Sequence, residues 1–372
     1  MTGQISRSYS AFLDVIRLYA ALSVFAGHAE FGWFGKVRLP FFMDTHDAVV
    51  MFFVLSGYVI AYSQQVNKRE LASFIQARVS RLYATVIPAI GLSIVATIAL
   101  DQLSPDLCVS IAKPYDFIRY LVTLGFMQSV WFRHLSPSIN GAFWSLSYEF
   151  AYYMLFAVTT LTNNWKTRAF ATLVVAAIAG PGIMLLLPAW LLGVFAFHAK
   201  RFRFTRFTTV IVAFVSAVIV AYATLSGWRF PLQPGTPPLN FSSSFISDNI
   251  LAIGIAGALV VAEKVFWFDI NGAFAKWIRR AGDLTFPIYL FHFPVLVLFA
   301  AAGGAVSVES GPSNTGGLVL AFVFTIALSI FSDYFQPSIS RLIKSCFAVI
   351  RNSLLKQRMR RVLATPKQKV NR

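Results

Sequence analysis

Hydrophobic runs recur along this chain from residue 11 to residue 336, and no polar stretch between them is long enough to fold on its own. In lipid every backbone N–H and C=O must find a partner within the chain, so runs of this length are expected to cross as helices. Composition agrees: 57% of the 372 residues are apolar, 37 are Phe and only 13% are charged, a balance foreign to ordinary soluble domains. The expected fold is an all-α polytopic membrane protein, with one transmembrane domain over 1–336 and a basic tail over 337–372. No internal repeat or Gly/Ser linker divides it.

Candidate spans fall at about 11–29, 48–63, 83–100, 118–131, 142–161, 169–187, 189–199, 208–226, 248–262, 285–302 and 317–336. A helix needs about 20 residues to cross roughly 30 Å of hydrocarbon, and 118–131 and 189–199 are short of that. Charge decides between them. If 118–131 stays outside as a re-entrant or interfacial piece, ten spans remain, and 25 of the 32 Lys and Arg residues fall in inside segments against six outside. The alternative puts the 162–168 cluster outside and obeys the positive-inside rule less well. Both termini are then expected in the cytoplasm. Residues 11–29 resemble the apolar core of a leader peptide, but Asp14 and Arg17 interrupt them, so they are read as the first span.

The formal charge of +17 would point to nucleic acid in a soluble protein. Here the basic residues sit in short clusters between apolar runs, so they read as topology signals and no nucleic-acid partner is expected. Cys108 and Cys346 fall on opposite sides of the ten-span topology, which argues against a disulfide or a cysteine metal site.

Ionised groups within a bilayer are costly and face a protein interior or a wet cavity, which makes Asp14, Arg17, His28, Glu149 and His292 the first functional candidates. Arg17 and His28 are eleven residues apart. Eleven steps of about 100° leave about 20° of rotation, so both lie on one face of a helix, separated by about 16 Å of rise. Asp14, three residues before Arg17, can offset its charge. A plain interfacial ion pair and a helix-end histidine would account for the same residues without a function.

Four further stretches carry chemistry. "VVMFFVLSGYVI" centres on Ser56 and Gly57, where a small residue permits close approach of a ligand or of a neighbouring backbone. "FIQARVSRLY" puts Arg78 and Arg81 one turn apart, as anchors or as a fork for phosphate groups. "GAFWSLSYEFAYY" gathers Trp144, Ser145, Ser147, Tyr148 and Glu149 at the start of a span. "FPIYLFHFPV" sets Tyr289 and His292 between Pro287 and Pro294, the mark of a kinked helix with a polar face toward an internal cavity. His28, Glu30, Asp44, His46 and Asp47 cluster in sequence, but their spacing matches no common ligand motif, and no metal is expected.

With these motifs in this order, the chain resembles acyltransferase family 3, the polytopic membrane acyltransferases that modify bacterial surface glycans and some secreted small molecules. "LDVIRLYAALSVFAGH", "FFVLSGYVI", "FIQARVSRLY", "FWSLSYEFAYY" and "FPIYLFHFPV" carry the resemblance across residues 13–295. It implies acetyl-CoA or another acyl-CoA as donor on the cytoplasmic side, a carbohydrate acceptor outside, and residence in a bacterial inner membrane. It also implies roles for Arg17 and His28 as the family's R-x10-H pair and for Arg78 and Arg81 as its R-x-x-R. The chain departs from the family where many members carry an acidic residue just before the Phe-Phe pair: Val50 stands there, with Asp47 three residues earlier.

The chemistry expected from this resemblance is O-acyl transfer. A hydroxyl is a poor nucleophile near neutral pH, and His28 can serve as general base or as a transient acyl carrier. Glu149 can orient the imidazole or bind the acceptor, and Arg17 can hold the donor or polarise the thioester carbonyl. Arg78, Arg81, Ser56 and Gly57 are expected around the donor, with Asp14, Trp144, Ser147, Tyr289 and His292 in support. No appended soluble domain follows the last span, so transfer is expected to finish here or with a separate partner. Two rival classes remain at this stage: a proton-coupled transporter or flippase of a lipid-linked sugar or metabolite, and a scaffold for polysaccharide synthesis proteins.

Overall fold

A computed structural model describes residues 5–39, 42–111, 113, 115–131, 133–199, 201–202, 204–226, 245–266, 268–307 and 311–364, with 350–364 described by backbone alone. Among these residues there are thirteen α-helices and no strand beyond one isolated bridge between Trp33 and Gly35. They are α1 (Arg7–Ala29), α2 (Thr45–Asn67), α3 (Leu71–Leu103), α4 (Pro105–Ile111), α5 (Asp116–Leu124), α6 (Trp144–Leu161) and α7 (Trp165–Ala179). The remainder are α8 (Pro181–Ala199), α9 (Arg206–Ser226), α10 (Phe245–Val265), α11 (Ala273–Asp283), α12 (Thr285–Ala302) and α13 (Thr315–Ala364).

Local chemistry explains where several helices begin. Ser6 caps α1 by accepting from the Tyr9 N–H, Asp44 caps α2 by accepting from His46, and Asn164 caps α7 by accepting from Lys166 and Thr167. Pro181 opens α8 at the position where its missing N–H costs nothing.

Among the described residues eight helices are long and apolar enough to cross a membrane: α1, α2, α3, α8, α9, α10, α12 and the Thr315–Val349 part of α13. The chain is thus an all-α, multi-pass membrane protein. Helices α6 and α7 are shorter or more polar, yet they run between the same two ends of the bundle. Phe74 near the start of α3 packs on Phe156 late in α6, and Trp131, beside the start of α6, donates its N–H to Ala179 O at the end of α7.

The structure moves one expected boundary. Spans were expected at 169–187 and 189–199, but the chain breaks at Gly180–Pro181 and runs through Pro188 within α8. Gly180 turns the chain at φ 80, and its α-carbon face is filled by the Trp131 backbone, whereas a proline inside a membrane helix is tolerated. The 118–131 region holds α5, nine residues or about 14 Å of helix, too short to cross. It is pinned to the start of α6: Gln128 Nε2 donates to Phe143 O at 2.6 Å and Ser129 Oγ to Trp144 O at 2.9 Å. Past residue 336, α13 continues without a break to Ala364, and the last residues of the basic tail, 365–372, lie outside the described residues.

Contacts define the two ends of the bundle. At the N-terminal end Arg7 N donates to Asp269 Oδ1 at 2.7 Å, and Gln76 Nε2 reaches Lys344 O at 3.4 Å. At the opposite end Gly311 N donates to Gly32 O at 2.9 Å, and Ser104 Oγ to Ala305 O at 3.0 Å. Between them α2 and α8 approach most closely, because Gly57 faces the Trp190 carbonyl and Gly193 faces the Val54 carbonyl with no room for a side chain at either. In a membrane, where apolar burial gives helices no reason to associate, this backbone-to-backbone fit is what holds a pair together.

Candidate active site

Helices α1, α2, α3, α6 and α12 enclose a cavity of about 840 Å³, open mouth included. Its polar lining is Arg17, Arg78, Arg81, Glu149, Ser56, Ser145, Tyr153, Thr285 and Tyr289, on a wall of Phe52, Phe53, Leu82 and Phe286. Three guanidiniums therefore share one chamber with a single lining carboxylate.

Two hydroxyls hold the carboxylate. Tyr153 OH, one turn further along α6, donates to Glu149 Oε1, and Ser56 Oγ donates to the same oxygen at 3.3 Å. Trp190 Nε1 donates to Ser56 Oγ at 3.3 Å, so the α2–α8 clasp also orients this serine. Arg78 is buried, stacks over Phe74 and Tyr153, and donates to Ser63 Oγ at 2.8 Å, while its Nε has no hydrogen-bond partner. Arg17 pairs with Asp14 at 3.5 Å. Asp14 lines a second cavity with Arg7, Lys276 and Arg279 rather than the main one.

On α11 Asp283 is exposed, yet partial desolvation by its neighbours and then the nearby Asp333 carboxyl raise its pKa above the ordinary value, against the pull of Arg81, Arg17 and Arg279.

His28 lies outside the lining of the main cavity, nearer the opposite end. Its partner is His292: His292 Nε2 stands 2.9 Å from His28 Nδ1, and His292 is fully buried. Each ring also contacts the carbonyl one turn back on its own helix, His28 Nδ1 with Val24 O at 2.9 Å and His292 Nδ1 with Ile288 O at 3.2 Å. Phe31 and Phe293 pack edgewise on the His28 ring. Tyr289 links the two regions, since it lines the cavity and its ring centroid is 6.2 Å from that of His292. Its hydroxyl donates to Ala142 O at 2.9 Å and accepts from Ser145 Oγ at 2.8 Å.

Some expected residues take other places. Gly57 is filled by the Trp190 backbone and faces no cavity, so of the two approaches open to it the structure uses the neighbouring helix. Ser147 Oγ accepts from the Ser129 N–H at 3.1 Å and anchors the 126–131 segment, while Ser145, two residues and about 200° earlier on α6, faces the cavity. Trp144 stacks parallel on His46, which pairs with buried Asp248 at 2.8 Å. The histidines of the His28–Asp47 cluster thus part, one to α12 and one to α10. Asp47 is buried in the first turn of α2.

Sequence reasoning missed Tyr153 and Trp190 as contributors. Tyr153 carried a signal, its i+4 spacing from Glu149. Trp190 carried none, because nothing local ties it to a serine 134 positions away.

An acyltransferase-domain family model matches residues 10–334. The chain is also 24% identical over 364 residues to the Bacillus subtilis (strain 168) protein named "Putative peptidoglycan O-acetyltransferase YrhL", with 88% of this chain and 54% of that protein aligned. The chain spans about half the length of this curated relative. No solved structure matches the chain.

Proposed function

Because this chain belongs to acyltransferase family 3, whose domain covers residues 10–334, and is thereby an acyltransferase, we propose that it moves an acyl group, acetyl foremost, from acyl-CoA to a hydroxyl of an extracytoplasmic carbohydrate. The observation that carries this reading is the arginine-lined cavity ending at Tyr289, one helical turn from the His292–His28 pair. Arg78, Arg81 and Arg17 supply planar forks for the donor's phosphates, and the buried Arg78 Nε is a donor still to be satisfied.

In the transfer, the acceptor oxygen bonds to the thioester carbonyl carbon as its proton passes to the His28 imidazole. The C–S bond breaks, and the proton ends on the departing coenzyme A sulfur. Formation of an acyl-imidazole on His28, then attack by the hydroxyl, balances equally. Glu149, fixed by Tyr153 and Ser56, offsets the three guanidiniums and keeps the chamber ready for anionic ligands.

The excess of Lys and Arg in the loops of the N-terminal end supports a bacterial inner-membrane protein with both termini in the cytoplasm, donor end inside and His28 outside. Polysaccharide synthesis proteins are the partner class this orientation would suit. The test is reconstitution in liposomes with labelled acetyl-CoA on one side and an oligosaccharide on the other, beside mass spectrometry of surface glycans from cells with and without the protein. Ester label on the oligosaccharide that vanishes in His28→Ala is the expected result. Transport of unmodified sugar with no label transferred would overturn the reading.

A further inference from the structure

We infer that His292 is a positioning residue that fixes the His28 ring in its Nδ1–H tautomer and thereby makes Nε2 the reacting atom. The inference rests on the reading of His28 as the transfer histidine and adds which nitrogen works and what selects it.

The assignment follows from two carbonyls. A carbonyl oxygen only accepts, so the 2.9 Å contact of His28 Nδ1 with Val24 O and the 3.2 Å contact of His292 Nδ1 with Ile288 O are attractive only if both Nδ1 atoms carry hydrogen. In a neutral ring the other nitrogen is then a bare acceptor. His292 Nε2 accordingly accepts from His28 Nδ1–H across 2.9 Å, the hydrogen shared with Val24 O, and His28 Nε2 keeps its lone pair. The opposite pair of tautomers would set lone pairs against both carbonyls at once. The helix geometry supplies these carbonyls automatically, four residues before each histidine.

Two consequences follow for the reaction. When His28 Nε2 takes the acceptor's proton, or bonds to the acyl carbon, positive charge appears on the ring. Its Nδ1–H then becomes a charge-assisted donor to His292 Nε2. His292 thus does for His28 what a carboxylate does for the histidine of a hydrolytic triad, without adding a negative charge to the membrane interior. Its complete burial, and its anchor through Ile288 O, keep it from turning to solvent. Asn140 Nδ2, donating to Leu290 O at 2.8 Å, holds this turn of α12 against the turn that begins α6.

The experiment uses the full chain in nanodiscs. Solid-state ¹⁵N spectra of histidine-labelled protein, with His28 assigned by its loss in His28→Ala, are expected to show the Nδ1–H tautomer, and an Nε2–H signal overturns the inference. In parallel, His292→Phe removes the acceptor and should lower kcat roughly 10–100-fold with the donor's KM within about twofold. His292→Gln, whose amide oxygen can accept at the same place, should recover most of that loss. A Phe variant with wild-type kcat, or a Gln variant that binds donor normally and recovers nothing, overturns it as well. Should His28→Ala itself retain activity, the functional reading falls while the tautomer measurement still judges the pair.

Discussion

Arg17 and His28 share one stripe of α1, yet they do not share one cavity. Arg17 lines the arginine-rich chamber, whereas His28 stands beyond Tyr289 against His292. Tyr289 stands at both places, lining the cavity and lying beside His292, with its hydroxyl tied to Ala142 O and Ser145.

Loosening that ring should uncouple the reaction. Tyr289→Phe removes two hydrogen bonds at a cost of about 1–2 kcal/mol, visible as a lower melting temperature in detergent. Acyl-CoA hydrolysis without acceptor, followed as free thiol, should rise several-fold relative to transfer. An unchanged ratio would remove Tyr289 from the coupling.

Arg78 should matter for donor binding through shape as well as charge. Arg78→Ala is expected to weaken coenzyme A binding about tenfold, roughly 1.4 kcal/mol, in titration calorimetry. Arg78→Lys should recover only part of it, because a lysine cannot reproduce the planar fork stacked on Phe74 and Tyr153. Full recovery by Lys would reduce the role of Arg78 to a point charge.

The α2–α8 clasp predicts a contrast among glycines. Gly57→Ala and Gly193→Ala each drive a methyl into the facing backbone and should destabilise by about 1–3 kcal/mol or more. Gly91→Ala on α3, with open space around its Cβ position, should be neutral or stabilising by up to about 1 kcal/mol. Thermal melts of the three variants in one detergent decide it, and equal effects would contradict the clasp.

Asp283 should make stability depend on pH in an unusual direction for a carboxylate. Its folded pKa is raised, by partial desolvation first and by Asp333 second, so the folded state holds its proton more tightly than the unfolded chain does. The stability it contributes is fully present below the unfolded value of about 3.9 and is lost as pH rises through the folded one. Asp283→Asn should therefore melt higher than the native chain at pH 7, with the gain vanishing toward pH 4. A gain that grows on acidification would contradict the shift.

Periodicity and composition were enough to determine that the chain is a helical membrane bundle, that 118–131 is too short to cross, and that Arg17 and His28 fall on one stripe. These properties are local: hydrophobic run length, about 100° per residue and charge between runs all operate within one helix or its loops. Even here the Gly180 break was misplaced at Pro188, because a proline looks the more disruptive residue until the packing of Trp131 against Gly180 is known.

Tertiary structure decided everything that depends on how each helix is rotated and which neighbour it meets. It chose Ser145 over Ser147 for the cavity and gave Gly57 to the Trp190 carbonyl. It brought Trp190 to Ser56 and set His292 beside His28 across 264 residues. No spacing rule reaches that far, since the rotation of a membrane helix is set by the fit of its small residues and hydrogen bonds against partners distant in sequence. The residue types for the chemistry were therefore legible in the chain, while the nitrogen of His28 proposed to react is selected by a partner that only the packing of α12 against α1 supplies.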